Sequence, residues 1–409
     1  MYSLAIHFYA FIVALISPFH RKARIMRLGQ WRTNTILRGK IDRGAKYIWF
    51  HASSLGEFEQ GRPMIEKIRA EHPEYKILLT FFSPSGYEVR KNYGGADVIC
   101  YLPFDTPYRV KKFLDLANPA IAIFIKYEFW ANYLCELKRR NIPTYIISAI
   151  FRPEQLFFRW FGSPYRKVLH CFTHLFVQDE PSASLLGKYG IKNVTVAGDT
   201  RFDRVLDVLA QARELPNVKR FVGEGEHFTL IAGSSWAQDE EILIPYFNAH
   251  PEMKLIIAPH EIHREHLMYI ESLLKRPSVR LSDVKQDASL LEGKDCLIVD
   301  SFGLLSSIYR YGTVAYIGGG FGAGIHNTLE AAVYGIPVLF GPKYHKFKEA
   351  RDLISVGGGF SVSDKQSFFS KMDELLTSHD KLEMEGKSAG EFVHGNAGAT
   401  LKILKEIKL

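Results

Sequence analysis

Cysteine is scarce in this 409-residue chain: Cys100, Cys135, Cys171 and Cys296 are scattered, with no CxxC pair. That spacing argues against a disulfide framework and a Cys-ligated zinc module, and it fits a body kept reduced in the cytoplasm. Low-complexity segments and internal repeats are also missing, so nothing marks the chain as disordered or repetitive. No Lys or Arg precedes Arg21, and residues 21–43 hold a single acid, Asp42. A secretory signal peptide carries its basic residues ahead of its apolar run, so this order argues against one.

What is present begins with an apolar run. Residues 2–19 contain only Ser3, His7 and Ser17 as clearly polar side chains, with Pro18 near the end. A bilayer core of roughly 30 Å calls for about 20 apolar residues, so residues 1–20 read as a shallow or tilted membrane-anchor helix. The competing reading is a buried first helix of the following domain. Eight Lys/Arg follow within residues 21–43, giving that segment +7 of the net +8. Such a collar places the body on the cytoplasmic side of the membrane and favours anionic lipids, at about 1 kcal/mol per residue near the surface. The remainder is nearly neutral, and no nucleic-acid partner is expected.

With 47% hydrophobic residues over this length, two domains are expected. Short apolar runs at 47–51, 77–82, 98–101, 121–125 and 144–148, then 174–178 and 194–197, alternate with helical or polar stretches. A second set occurs at 230–233, 255–258, 296–299, 314–317 and 338–340. This alternation predicts α/β architecture: two doubly wound, Rossmann-like domains facing a cleft, with ligands at the carboxyl ends of the strands. The domains are placed at 21–209 and 227–409, joined by a polar linker at 210–226, and the last helix is left free to pack on either one.

Several strand ends carry residues fit for chemistry. The run 315–330 leads a strand into Gly318, Gly319, Gly320, Gly322 and Gly324, then His326, Asn327, Thr328, Leu329 and Glu330. Glycines let backbone approach a phosphate, and an early helical acid can accept from ribose hydroxyls. Glu57, in HASSLGE, opens a helix after the strand at 47–51 and suits a general base; a dipole-stabilised helix-start acid is the plain alternative. Glu128 lies in KYEFW after the strand at 121–125. Arg201, in GDTRFD, can face a leaving phosphate or simply pair with Asp199 or Asp203. Ser234 and Ser235, and the stretch from Asp300 through Phe302, Gly303 and Leu304, put small residues or hydroxyls at helix starts, where amides hold phosphate without metal. Pro259, His260, Glu261, His263 and His266 match no standard ligand set, so no metal and no cofactor are expected.

Taken in order, HASSLGE, YLPFDTP, YEFW, GDTRFD, APH, DSFGLL, GAGIHNTLEAA and FGPKYHKF resemble the 3-deoxy-D-manno-octulosonic acid (Kdo) transferases of lipopolysaccharide assembly, membrane-anchored GT-B glycosyltransferases. The resemblance implies CMP-Kdo as donor, a lipid A precursor as acceptor, and inversion at the anomeric carbon. By it Glu57 takes the position of the general base, and Glu128 and Arg201 take positions that steady the transition state. Pro259 and His260, Phe302 to Leu304, and Asn327 to Glu330 take the CMP-binding positions. The chain departs from the family pattern at His260 (an Arg there), Leu304 (Glu), Lys126 (Glu), Asp199 (Asn) and Ala131 (Pro). The alternatives are another GT-B transferase or epimerase with a different donor, and a membrane-tethered anionic-lipid binding module.

Overall fold

The structure, a computed structural model, describes residues 2–223 and 227–409; residues 224–226 of the expected linker lie outside the described residues. The chain forms two compact units, Met1–Arg204 with Ala397–Leu409, and Val205–Asn396. Within the expected linker, Pro216–Val222 is a short helix whose Val218, Phe221 and Val222 are buried. The last thirteen residues belong to the first unit, where Ile403 and Ile407 pack beneath the sheet.

The first unit is built on seven parallel strands: β1 Lys46–Ala52, β2 Tyr75–Phe81, β3 Val98–Tyr101, β4 Ile121–Ile125, β5 Thr144–Ala149, β6 His174–Val177 and β7 Val194–Val196. They lie in the order β3-β2-β1-β4-β5-β6-β7. Side chains alternate across a strand, and β1 shows what this does. Tyr47 and Trp49 pack with Phe113 and Tyr133 on one face, while Ile48 and Phe50 pack with Phe58, Ile65 and Ile68 on the other. Both faces are covered, which is why the strands read as continuous apolar runs rather than alternating ones.

The second unit repeats the plan with β8 Phe228–Ser235, β9 Met253–Pro259, β10 Ser278–Arg280, β11 Cys296–Ile298, β12 Val314–Ile317, β13 Val338–Phe340 and β14 Gly359–Ser361. Their order is β10-β11-β9-β8-β12-β13-β14, again with parallel pairing throughout. Leu230, Leu255 and Tyr316 pack with Tyr246, Phe247 and Phe368 on one face. β10 and β14 were not expected from the sequence.

The N-terminal region is two helices, α1 Tyr2–Ile16 and α2 Arg21–Lys40, bent by 118° at the break around Pro18. Fifteen residues rise about 22 Å, short of a bilayer core. Among the described residues no single helix is long and apolar enough to cross a membrane, so the spanning form of the anchor expectation is not supported. One side of α1 packs on the first unit: Val13 joins Met26, Tyr101 and Phe104, and Tyr9 meets the Phe104 ring edge-on. Tyr2 Oη donates to Asp105 Oδ2 at 2.6 Å, and Ser3 Oγ donates to Asn132 Oδ1 at 3.1 Å. Asp105 also accepts from the Asn132 and Tyr133 amides, at 3.0 and 2.9 Å. The opposite side leaves Leu4, Phe8, Phe11 and Leu15 exposed in one stripe.

Candidate active site

In a doubly wound sheet a crevice opens where neighbouring strands send their connections to opposite faces. In the first unit that point lies between β1 and β4, which pair from Ile48 with Ile121 to His51 with Phe124. The residues following these two strands are therefore neighbours. Glu57 and Glu128 come from those two connections.

Glu57 lies in the first turn of the helix Leu55–Glu71, called α3. Its Oε2 accepts from the Ser53 and Ser54 amides at 2.6 and 3.0 Å, which is the helix-start role read as the alternative. Two amides on a carboxylate would ordinarily lower its proton affinity. Here burial, aided by the charge of Glu128, outweighs those amides and Lys126, and the pKa is pushed up to about 7. A carboxyl so poised can accept a proton near neutral pH, so capping and chemistry coexist in one side chain.

Glu128 is buried, and its Oε2 meets His51 Nε2 at 3.0 Å and the indole N–H of Trp130. His51 is fully buried, with Nδ1 2.9 Å from Thr80 Oγ1, itself an acceptor from Trp49 Nε1 at 2.8 Å. The tautomer carrying its proton on Nε2 satisfies this chain, since Thr80 then donates to Nδ1 and His51 donates to Glu128. The sequence reading took His51 only as a strand residue. Lys126, where β4 ends, has φ of 66°, a left-handed conformation uncommon for a residue other than glycine.

Arg201 stands near the start of the helix Thr200–Ala210 and is paired: its Nη2 and Nε donate to Asp199 Oδ2 at 2.7 and 2.9 Å. Asp199 also accepts from the Arg201 amide and from Gln60. Burial raises the Asp199 carboxyl, but the Arg201 charge and these bonds win and hold it below its ordinary value. The two form an ion pair with no net charge.

In the second unit the corresponding point lies between β8 and β12, which pair from Leu230 with Val314 to Gly233 with Ile317. A pocket of about 330 Å³ opens at these carboxyl ends, lined among others by Ser234, Pro259, His260, Phe302, Gly303 and Glu330. Those six were expected. Ser235, Leu304, Asn327, Thr328 and Leu329 do not line it. Ser235 is buried with Oγ on Glu240 Oε1, and Thr328 and Leu329 are fully buried. Asn327 acts at one remove, donating to Glu330 Oε1 at 3.0 Å. Ser234 holds φ of 53°, a left-handed conformation near the end of β8, as Ser148 does with φ of 52° near the end of β5.

Six further residues line it, Ala258, Val299, Ser301, Leu305, Ser306 and His326, and two of these stand out. Ser301 Oγ is buried in the pocket wall with no partner, and a buried polar atom so left calls for a ligand or water. His326 completes an aromatic column: Trp236 stacks on His260 at 4.5 Å, His260 lies 4.6 Å from His326, and Trp236 Nε1 donates to His326 Nε2 at 3.4 Å. Burial and the neighbouring His260 push the His326 pKa down to about 4, so it is neutral at pH 7.

Close packing within the unit accounts for two of the glycines in the run. A Cβ on Gly318 would lie 2.2 Å from Ser234 O, and one on Gly320 would lie 2.5 Å from Gly341 Cα. These glycines, in the turn that follows β12, pass close to neighbouring backbone, and none of the five lines the pocket. The helix after them, Leu329–Ala332, is a single turn. Nearby, Glu261, His263 and His266 bring ligand-type atoms within 4.8 Å of one another. Both His266 nitrogens are engaged, by Glu240 and the Glu261 carbonyl, and His263 caps the following helix.

Residues 24–204 match the family described as 3-Deoxy-D-manno-octulosonic-acid transferase (kdotransferase). The chain is 28% identical over 349 residues to the 3-deoxy-D-manno-octulosonic acid transferase of Aquifex aeolicus, covering 83% of this chain and 89% of that one. It is 25% identical over 378 residues to the enzyme of the same name from Haemophilus influenzae, covering 88% and 86%. Among solved structures, the fold is similar to a UDP-GlcNAc 2-epimerase from Neisseria meningitidis bound to UDP-GlcNAc, with TM-score 0.62, 14% identity and coverage of 88% and 98%. At that identity the likeness speaks for the doubly wound, GT-B-like α/β fold of the units and for nothing further.

Proposed function

We propose that this chain is a member of the 3-deoxy-D-manno-octulosonic acid transferase family, an inverting glycosyltransferase moving Kdo from CMP-Kdo to a lipid A precursor in lipopolysaccharide assembly. The observation that carries the chemistry is Glu57, a carboxyl with its proton affinity raised to about 7 at the switch point of the first sheet. Two amides hold Oε2, which leaves Oε1 for the acceptor hydroxyl. Glu57 takes that hydroxyl's proton as the oxygen attacks the anomeric carbon, and CMP departs with the bonding electron pair. Glu128, fixed by His51 and Trp130, and the donors of Arg201 steady the charge that develops.

On this reading the first unit binds the acceptor and the second binds CMP-Kdo. The pocket at Ser234, His260, Ser301 and Phe302 takes the nucleotide, with the His260 and His326 rings in its wall, Trp236 stacked on His260, and Ser301 Oγ as an unsatisfied polar contact. The family's Arg and Glu are replaced by His260 and Leu304, so phosphate contact here falls to backbone amides and serine hydroxyls. The body lies on the cytoplasmic side of the inner membrane. α1 rests its exposed Leu4, Phe8, Phe11 and Leu15 in the interface, and the basic residues of α2 meet anionic headgroups.

The test is a reconstituted reaction of the full chain with CMP-Kdo and a lipid A precursor in mixed micelles, without added metal, read as Kdo-lipid by mass spectrometry and as released CMP. Glu57→Gln should lower turnover at least 1,000-fold, drawing on both base catalysis and orientation, while CMP affinity stays within a few-fold. Full activity in that variant, or tighter binding of UDP than of CMP, sinks the assignment. Flotation with anionic vesicles tests the membrane placement separately.

A further inference from the structure

Cys135, on the helix Ala131–Arg139, and Cys171, on the short turn Leu169–Cys171, lie with their sulfurs 3.8 Å apart. They are 36 residues apart in sequence and come from different elements. Cys135 is exposed and Cys171 partly so, whereas the other two cysteines, Cys100 and Cys296, are fully buried. The two elements are tied beside the thiols, because Lys138 Nζ donates to the His170 carbonyl at 2.7 Å. Two thiols in van der Waals contact, one open to solvent, on elements held together by a separate bond, are set to react in sequence.

We propose that Cys135 and Cys171 form a reversible dithiol–disulfide site, oxidised by low-molecular-weight disulfides, with Cys135 as attacking thiol and Cys171 as resolving thiol. The Cys135 thiolate attacks one sulfur of the small disulfide, whose S–S bond breaks and releases one thiolate that takes up a proton. Cys171 then gives up its proton and attacks the Cys135 sulfur of the mixed disulfide, expelling the second small thiolate. Two protein thiols lose two electrons and two protons, and one small disulfide becomes two thiols. The order follows from exposure, since Cys135 is the more open of the two thiols, and local electrostatics point the same way. The Cys171 hydrogen bond and the Lys138 charge bring the Cys135 thiol down to about 7, while the same bond pushes Cys171 up. A thiol titrating near ambient pH is close to the best nucleophile for exchange. The finished bridge ties together the two ends of a 36-residue stretch. Its near end sits on the helix that begins just after Trp130, the residue whose indole holds Glu128.

The experiment uses the full chain and oxidised glutathione as probe. The native protein should lose two hydrogens by intact mass and yield one cross-linked peptide pair containing Cys135 and Cys171, reversed by dithiothreitol. The reaction rate should rise through about pH 7, and the melting temperature should rise by a few degrees in the oxidised form. Cys171→Ser should stop at a mixed disulfide carrying one glutathione on Cys135. Cys135→Ser should react at least ten-fold more slowly. Failure of Cys100 and Cys296 to react with an alkylating reagent reports that each variant is folded. If the folded native protein forms no bridge at excess oxidised glutathione, or if Cys171 captures glutathione first, the proposal is overturned. The readouts are masses and melting temperatures, so they stand apart from the transfer reaction.

Discussion

His51 Nε2 lies 3.0 Å from Glu128 Oε2, with the imidazole wholly buried and the carboxylate nearly so. A buried carboxylate that loses its donor bears a penalty of its own, which the remaining Trp130 contact only partly offsets. His51 is thus the residue that lets an acid stand at the mouth of β4. Its far side is anchored through Thr80 to Trp49 in the core.

Replacing this donor separates packing from chemistry. His51→Leu should destabilise the protein by about 1–3 kcal/mol and lower kcat at least ten-fold. His51→Gln, which keeps a donor, should recover most of the stability. Denaturant unfolding and steady-state kinetics of the two variants check it, and equal behaviour of both would leave the His51–Glu128 bond without a role.

Glu57 makes a prediction about pH. Its folded pKa of about 7 lies above the ordinary carboxyl value of 4.5. Between those values the folded state binds more protons than the unfolded one, so stability falls as pH rises from about 4.5 to about 7. Glu57→Gln removes this dependence and should gain stability relative to the native protein as pH goes from 5 to 8. If Glu57 is the base, kcat/KM should climb with pH to a plateau above about 7. Glu128→Gln should move that limb to lower pH, since Glu128's charge is the second cause of the shift. A limb that stays in place would remove Glu128 from the account.

The aromatic column of the second unit gives an acid-side prediction. His326, pushed to about 4, binds fewer protons folded than unfolded between about 4 and its ordinary 6.5, so stability is lost as pH falls through that window. Protonation would also set a charge against His260. CMP affinity, followed by calorimetry, should fall steeply between pH 5 and 4, and His326→Phe should flatten that fall. A profile unchanged by the substitution would show that the column does not sense the ligand.

The glycines divide by what a methyl group would strike. Gly318→Ala and Gly320→Ala place Cβ against backbone, at 2.2 Å from Ser234 O and 2.5 Å from Gly341 Cα. Each should destabilise by at least about 2 kcal/mol. In Gly322→Ala the new Cβ would be 3.6 Å from Gly319 O, so this variant should stay within about 0.5 kcal/mol of native. Melting curves of the three decide the matter.

The pattern of success and failure in the sequence has physical causes. Runs such as 47–51 and 121–125 announce strands because parallel sheets covered on both faces need continuous apolar residues. β10 and β14 escaped because each is a three-residue strand at a sheet edge, with Ser278, Arg280 or Ser361 in place of apolar residues. Glu57 and Glu128 were visible because each follows a strand end. Their tuning was not visible, since His51 meets its carboxylate 77 positions away. The glycine run looked like a ligand loop because close approach to any backbone, the protein's own or a phosphate's, demands the same residue. Ser301 and His326 lie within motifs that were singled out, DSFGLL and GAGIHNTLEAA, and only burial and packing set them apart from their neighbours there.

Asp105 accepts from Tyr2 and from the amides that open the helix behind Glu128. Deleting the apolar N-terminus to ease purification would therefore remove a hydroxyl donor from a deeply placed acid, as well as a greasy surface. A shortened enzyme would dissolve more readily, and the price would be a loosened start to Ala131–Arg139. Low turnover measured on such a fragment would then say more about the cut than about the catalyst.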